Sequence, residues 1–322
     1  MDKVVFGKID GRARNAGAVL AAAAMALTLC GCSRVSTQAQ PNAVAPPSVT
    51  YIAQWGVKGT GPGQMSDPVD IATDSVGDAY IVDADSHFVE KFDSQGTPLL
   101  AFDEGNLKHP QAITVDSGGA IYVTDSGRGS AICFLPSGDR YKELHLRTHP
   151  SAEDKVDIAV EDDGTIDILD TDAAKMFTYN PRFTLVHTWV PIADGPSPRV
   201  RPKAVANGFD GSVYIADAAE NRILRFSSDG HFSGAFSTNA DGATWRLSDR
   251  IAVSRGFIFA MDANGRMLHV FSTDGHPVLE ADLAAELGQA GRSAPALAVS
   301  PRKELLVLDA PQTRVLRYKL NF

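Results

Sequence analysis

The sequence has few cysteines and no apolar run long enough to cross a membrane, and each shortage excludes a class of protein. Cys30, Cys32 and Cys133 are the three cysteines of the 322 residues, too few for the disulfide framework of small secreted domains. The apolar run at residues 16–29 has about fourteen residues, whereas a transmembrane helix needs about twenty. A net charge of −9 also disfavours binding to nucleic acid, which is a polyanion.

The remaining composition is that of a folded chain with many turns. Apolar residues make up 44% and charged residues 21%, which is typical of globular proteins and sufficient for a large core. Eighteen prolines and 28 glycines interrupt short apolar runs. This pattern favours an all-β architecture with few helices.

The first 31 residues have the features of an export signal. Four basic residues precede the apolar run, which leads into Leu29-Cys30-Gly31-Cys32. This order resembles the lipobox of bacterial lipoproteins. The resemblance implies cleavage before Cys32 and attachment of lipid to its thiol; Cys30 does not fit, because Leu29 is too bulky for the position before the cut. A transmembrane anchor is the alternative interpretation.

Cleavage would leave a lipid-anchored protein outside the cytoplasm, at the outer membrane or periplasm of a Gram-negative cell. Residues 1–31 hold four basic and two acidic groups, so the mature chain carries −11 instead of −9. Cys133 is then left without a partner, and its apolar surroundings indicate a core residue. Residues 32–50 are expected to be the lipidated cysteine and a flexible linker, since they are polar and contain three prolines.

One short pattern recurs six times over residues 51–322. An apolar strand-like run ends in aspartate, and an aromatic residue follows nine positions later. A further apolar run precedes each aspartate across a turn rich in glycine and aspartate, and each unit spans about 45 residues. The aspartates are Asp83, Asp125, Asp170, Asp217, Asp262 and Asp309, and the aromatics are Phe92, Phe134, Tyr179, Phe226, Phe271 and Tyr318.

These units resemble NHL repeats, most closely in the stretch from Gly56 to Asp83. The resemblance implies an all-β, six-bladed β-propeller with four antiparallel strands in each blade. The last unit stops after its third strand, whereas a spare strand, residues 51–56, precedes the first unit. We therefore expect the N-terminal strand to complete the C-terminal blade and close the ring. Residues 280–288 are expected to form a short helix.

The repeated aspartates are expected to be structural, since a carboxylate at a strand end accepts hydrogen bonds from turn amides. No cofactor or metal site is expected. One enzyme with a similar propeller, the peptide-amidating lyase, binds zinc through channel histidines, but the inner strands here contain none. Calcium-dependent lactonases on similar propellers use acidic and amide residues at the channel. Asp70, Asp157 and Asn207 leave a metal-dependent lyase or lactonase-like hydrolase as the alternative function.

A non-catalytic binding or scaffold role is the favoured interpretation, because no nucleophile motif such as GxSxG is present. The expected partner is a protein, peptide or glycan of the cell envelope, bound by a monomer, with the lipid as the contact to the membrane. The turns between second and third strands differ among the units and should lie on one face. Their candidate binding residues are His87, Arg128, Asp172, Asn221, Arg266 and Gln312.

Overall fold

A computed structural model describes residues 46–103, 105–146, 155–237, 246–287 and 295–322. The predicted signal peptide, Cys32 and most of the predicted linker lie outside the described residues. The described residues form six four-stranded antiparallel sheets, each in simple up-and-down order. These are the six blades of a β-propeller, as the repeat predicts.

Each blade contains an inner strand, two middle strands and an outer strand, and the first five blades take them consecutively from the chain. Blade 1 consists of β2 (Pro68–Thr73), β3 (Ala79–Asp83), β4 (Phe88–Phe92) and β5 (Pro98–Phe102). Blade 2 consists of β6 (Pro110–Val115), β7 (Ile121–Asp125), β8 (Ser130–Phe134) and β9 (Arg140–His145). Blade 3 consists of β10 (Val156–Val160), β11 (Ile166–Asp170), β12 (Lys175–Tyr179) and β13 (Leu185–Trp189). Blades 4 and 5 consist of β14 (Pro202–Asn207), β15 (Ser212–Asp217), β16 (Arg222–Ser227), β17 (Phe232–Ser237); and β18 (Leu247–Ser254), β19 (Phe257–Asp262), β20 (Met267–Ser272), β21 (Pro277–Asp282).

Blade 6 joins the two ends of the propeller. It consists of β22 (Ala296–Ser300), β23 (Glu304–Asp309), β24 (Arg314–Asn321) and β1 (Ser48–Trp55), in the order β1-β24-β23-β22. The predicted closure is confirmed. The strand begins three residues earlier than predicted, because Ser48 and Val49 pair with Asn321 and Leu320.

The six repeated aspartates end the second strands of the six blades, and five of them accept backbone N–H groups of the adjoining loops, as predicted. Asp309 instead accepts from the Arg314 side chain. The carboxylate of Asp83, for example, is fully buried and accepts backbone N–H groups at 2.7–3.1 Å from two sides. Ser66 and Asp67 donate from the segment that enters the blade, and Asp85 and Ser86 donate from the following turn. The repeated carboxylate therefore fixes the loops at one end of the ring.

Glycine turns and aromatic side chains join neighbouring blades. At Gly96, φ is +88°, and a Cβ atom would lie 2.2 Å from the Trp55 ring of the preceding blade, so only glycine fits. Three other blade contacts have the same form: Phe102 on Gly138, Trp189 on Gly230, and Phe236 on Gly275.

Blade 3 reverses this arrangement. Its turn carries Phe183 at a φ of +63°, where the turns of blades 1, 2, 4 and 5 have glycine. The outer strand of blade 2 has Leu144, paired with Ala131, where blades 1, 3, 4 and 6 have an aromatic residue. The Phe183 ring stacks on Tyr122 of blade 2 at 6.2 Å between centroids. The aromatic contact between these two blades is therefore supplied from the opposite side.

Two smaller predictions have different outcomes. Cys133 is buried in β8, as predicted, and burial raises the pKa of its thiol to about 11. The helix predicted at residues 280–288 is shorter, α1 (Ala284–Leu287), because residues 280–282 pair with β20 as the end of β21. Within the described ranges no helix is long and apolar enough to cross a membrane.

The inner strands are unpaired sheet edges, and side chains of the preceding blade satisfy several of their backbone groups. Asp70 accepts the Ile113 N–H at 2.9 Å, Gln111 accepts the Val156 N–H at 2.7 Å, and Asp157 accepts the Val205 N–H at 2.8 Å. Buried backbone amides need such acceptors. This need explains why polar side chains lie at the centre of an otherwise apolar fold.

Candidate functional site at the central channel

Two cavities occupy the two ends of the central channel, and residues from all six inner-strand segments line both. The first, of about 310 Å³, opens where the inner strands begin. The second, of about 520 Å³, opens where they end. Asp157 and Arg250 line both cavities and mark the narrow region between them. The first cavity, called the mouth cavity below, lies on the face formed by the turns between second and third strands.

One ring of equivalent positions separates the two cavities. Each position precedes the large apolar residue of an inner strand. Blades 2, 4 and 6 carry alanine there, and blades 1, 3 and 5 carry Asp70, Asp157 and Arg250. The chain thus places two carboxylates and one guanidinium in alternate positions at the centre of the ring.

Arg250 reaches across the channel from blade 5 to blade 1. Its Nη2 donates to the Val69 carbonyl oxygen at 3.2 Å, and its Nη1 lies 3.6 Å from Oδ1 of Asp70. The side chain keeps 29% of its surface accessible, whereas Asp70 keeps 12%. The guanidinium is therefore deep in the ring but in contact with the channel.

Burial raises the pKa values of both carboxyl groups in this cluster. Burial is the main cause for Asp157 and raises its pKa to about 6. The positive charge of Arg250 lowers this pKa, and the negative charge of Asp70 raises it. For Asp70 burial again raises the pKa, and Arg250 and the Ile113 and Ile71 amides oppose the shift. The cluster can therefore take up a proton close to neutral pH.

Two lysines add positive charge to the mouth cavity. Lys155 of blade 3 lies 3.4 Å from Oδ2 of Asp249, and both side chains are exposed. Lys203 of blade 4 is exposed. Both lysines line the mouth cavity with Arg250. Cationic groups of three blades thus converge on one small opening.

The channel residues that left a metal-dependent enzyme open are engaged by other groups of the protein. Asp70 and Asp157 each bind a backbone amide and share the neighbourhood of the Arg250 charge, which would compete with a calcium ion. Asn207 is three positions further along its strand, roughly 10 Å away, and donates to Asp167 at 3.0 Å. Among the described residues, no three His, Cys, Asp or Glu side chains are grouped closely enough to hold a metal ion.

The six candidate binding residues lie on the face that surrounds the mouth cavity, but none of them lines it. Several have structural partners: Arg128 pairs with Glu143 at 3.2 Å, Arg266 pairs with Asp282, and the Asn221 side chain accepts the Leu247 N–H. His87 is half-buried at a φ of +59°, and Asp172 and Gln312 are exposed. A binding role for these six residues stays a prediction.

Sequence reasoning identified Asp70 and Asp157 but missed Arg250, Lys155 and Lys203. The signal for Arg250 was present, because Arg250-Ile251 occupies the same place in its unit as Asp70-Ile71 and Asp157-Ile158. A comparison of the six units at that one position reveals the three charged residues and the three alanines.

Comparisons with known proteins bear on the fold alone. No family model matches the chain, and no curated protein matches it. A streptogramin B lyase structure is similar with a TM-score of 0.61 and 14% identity over 84% of this chain and 98% of that one. A virginiamycin B lyase from Staphylococcus aureus is similar with a TM-score of 0.55 and 14% identity, over 86% of this chain and 89% of that one. A catalytically inactive histidine-to-alanine variant of that lyase, solved with quinupristin, has a TM-score of 0.59 and 13% identity, over 85% of this chain and 88% of that one.

Proposed function

We propose that this protein is a lipid-anchored, extracytoplasmic propeller of the NHL kind that binds a ligand of the cell envelope in the mouth cavity. The observation that carries the proposal is the convergence of charged side chains from five blades, cationic in three of them, on one cavity at the centre of the ring. A volume of about 310 Å³ is at the lower end of the range for small-molecule pockets. The ligand is therefore a small molecule or the end of a larger chain.

The rigid ring is suited to this role. The carboxylates at the strand ends fix the loops that surround the cavity. Side-chain hydrogen bonds to the backbone of the next blade fix the inner strands. A site that is held in place before binding loses little conformational entropy when the ligand enters. The residues common to all blades build the ring, and the residues that differ between blades provide the binding groups.

Blocking the cavity tests the proposed site. Ala310 lies at the rim in a short 3-10 helix, Ala310–Gln312, and is only partly buried. Ala310→Trp should fill part of the opening without disturbing the core, so a ligand that co-purifies with the wild-type protein from its own envelope should be lost. Native mass spectrometry of the two proteins measures this. Ala219→Trp, at an exposed turn on the same face but outside the cavity lining, is the matched control. Retention of the ligand by Ala310→Trp would contradict the proposed site.

The anchor has its own test. Cys32→Ala removes the thiol that the lipobox pattern assigns to the lipid, so the protein should lose all labelling by a radioactive or clickable fatty acid. It should also move from the membrane fraction to the soluble fraction, with Cys30→Ala as the control that changes neither property. Continued labelling and membrane association of Cys32→Ala would rule out lipidation at this residue.

A metal-dependent lyase or hydrolase is the second candidate, because the similar solved structures include lyases. Asp70, Asp157 and Arg250 would then be the polar groups nearest to a reacting molecule in the channel. Elemental analysis of the purified protein separates the two candidates. One equivalent of bound calcium or zinc would favour the enzyme, and a metal-free protein with a bound ligand would favour the binding protein.

A further inference from the structure

Most of the hydrogen-bonding capacity of the Arg250 guanidinium is unused by the described residues. A guanidinium has five N–H donors in a planar fork, and Arg250 makes one hydrogen bond, to Val69, and one long contact with Asp70. Arg140 provides a contrast in the same chain, since its Nε and Nη2 bind the two oxygens of Asp103 at 2.7 and 2.6 Å. The fork of Arg250 is therefore available to a ligand with two acceptor oxygens.

Lys203 places a second available cation at the same cavity. It makes no ion pair or hydrogen bond with any described residue, and it is exposed at the opening. Lys155 is already paired with Asp249, but a pair between exposed side chains is weak and exchanges readily with other partners.

The acidic side chains at the cavity are largely engaged. Asp249 pairs with Lys155, and Asp309 accepts from Arg314 at 2.8 Å. Asp157 accepts the Val205 amide. Asp67 is exposed at the rim. The lining of the cavity thus includes unengaged hydrogen-bond donors, whereas most of its acceptors have partners.

We propose that the ligand of the mouth cavity carries an oxyanion group, either a planar carboxylate or a tetrahedral sulfate or phosphate, which Arg250 binds through its fork and Lys203 binds as a second cation. This inference rests on the proposed function and names the chemical class of its ligand. Two parallel N–H···O bonds from a guanidinium are among the strongest and most directional contacts that a protein can offer an oxyanion.

Binding of simple ions tests the inference directly. Acetate and sulfate, the planar and the tetrahedral probe, are titrated at constant ionic strength into the wild-type protein, and amide chemical shifts are followed by NMR. We expect saturable binding of one probe, with shifts concentrated around Val69, Asp157 and Lys203. The geometry of the tighter probe indicates which oxyanion the ligand carries. Spermidine is the cationic probe, and binding of spermidine instead of either anion at this cavity would overturn the inference.

Three variants separate specific binding from general attraction. Arg250→Gln should weaken anion binding at least tenfold, and Lys203→Gln should weaken it about threefold. Arg225→Gln removes the same charge at the opposite end of the ring, where Arg225 binds Asp210. This variant should bind the anion with the same affinity as the wild type. Because Lys203 is exposed, its variant keeps the test valid if Arg250→Gln does not fold. Equal anion affinity in the wild type and both cavity variants would overturn the inference, and so would an equal loss in Arg225→Gln.

The pH dependence provides a second measurement. The charged groups around Arg250 are Asp70, Asp157 and Asp249, with Lys155 beside them. As the pH falls from 8 towards 6, a growing fraction of Asp157 is protonated, and its charge competes less for the guanidinium. Sulfate, whose own charge is constant in this range, should therefore bind more tightly at pH 6 than at pH 8. The same affinity at both pH values would contradict the assignment of Arg250 as the anion ligand.

The outcomes also separate this inference from the proposed function. If Ala310→Trp expels the envelope ligand and that ligand has no anionic group, the site is correct and the ligand class is wrong. If Ala310→Trp keeps the ligand, both the proposed binding site and the proposed ligand class are wrong.

Discussion

Replacement of Asp83 with alanine should lower the free energy of unfolding by about 4 kcal/mol, since each unsatisfied buried donor costs about 1–3 kcal/mol. The change leaves four backbone N–H groups without their acceptor, in a position with no solvent access. For a chain of this size the loss corresponds to a fall of roughly 10 °C in melting temperature. Urea unfolding and differential scanning calorimetry measure the two quantities.

Asp309→Ala is the matched control in the same position of blade 6. Its carboxylate accepts a hydrogen bond from the Arg314 side chain, which is partly exposed and can turn to solvent. We expect this variant to lose about 1 kcal/mol, the net value of one ordinary hydrogen bond. Equal losses in the two variants would show that the number of turn amides bound by the carboxylate does not determine its contribution to stability.

Deletion of residues 48–55 should lower the melting temperature by more than roughly 10 °C and cause self-association. These residues are β1, which pairs with β24 along its whole length. Trp55 also contacts Phe92 of blade 1 at 4.6 Å between ring centroids. Without β1 the ring loses a blade contact, and β24 becomes an open sheet edge that can pair with another chain. Calorimetry and size-exclusion chromatography measure the two effects.

The control for this deletion removes residues 33–45, which precede the described part of the chain. That variant should keep the wild-type melting temperature and elute as the wild type does. A similar melting temperature for both deletions would contradict the account of ring closure.

The fold could be predicted because the residues that build it are repeated. A strand-ending aspartate recurs in every blade and binds loop amides in five of them, as Asp125 and Asp217 do, so the pattern itself gives the blade number and the strand order. The turn at Phe183 lacks the glycine but keeps an aromatic contact between blades 2 and 3. Here the turn of blade 3 provides an aromatic ring, which stacks on Tyr122 of blade 2. The start of β1 was less predictable, because Ser48 and Val49 have no repeated counterpart before the ring.

The candidate site was only partly predictable, because it depends on residues that occur once. Asp70 and Asp157 stood out as acidic residues on inner strands, but their relation to Arg250 depends on three blades meeting across a channel. Arg128 and Arg266 appeared available in the sequence, whereas in the fold they pair with acids of their own blades. Local patterns predict repeated contacts well, and they do not show which unrepeated charges meet at the centre.

The most direct test of the binding site is the location of the natural ligand. The protein is isolated without denaturation from the cells that produce it and is crystallised, and the electron density of the bound molecule is examined. The account predicts density in the mouth cavity, with oxygen atoms within hydrogen-bond distance of the Arg250 guanidinium. Density against the outer turns at His87, Asp172 or Gln312, with the mouth cavity filled only by water, would contradict it.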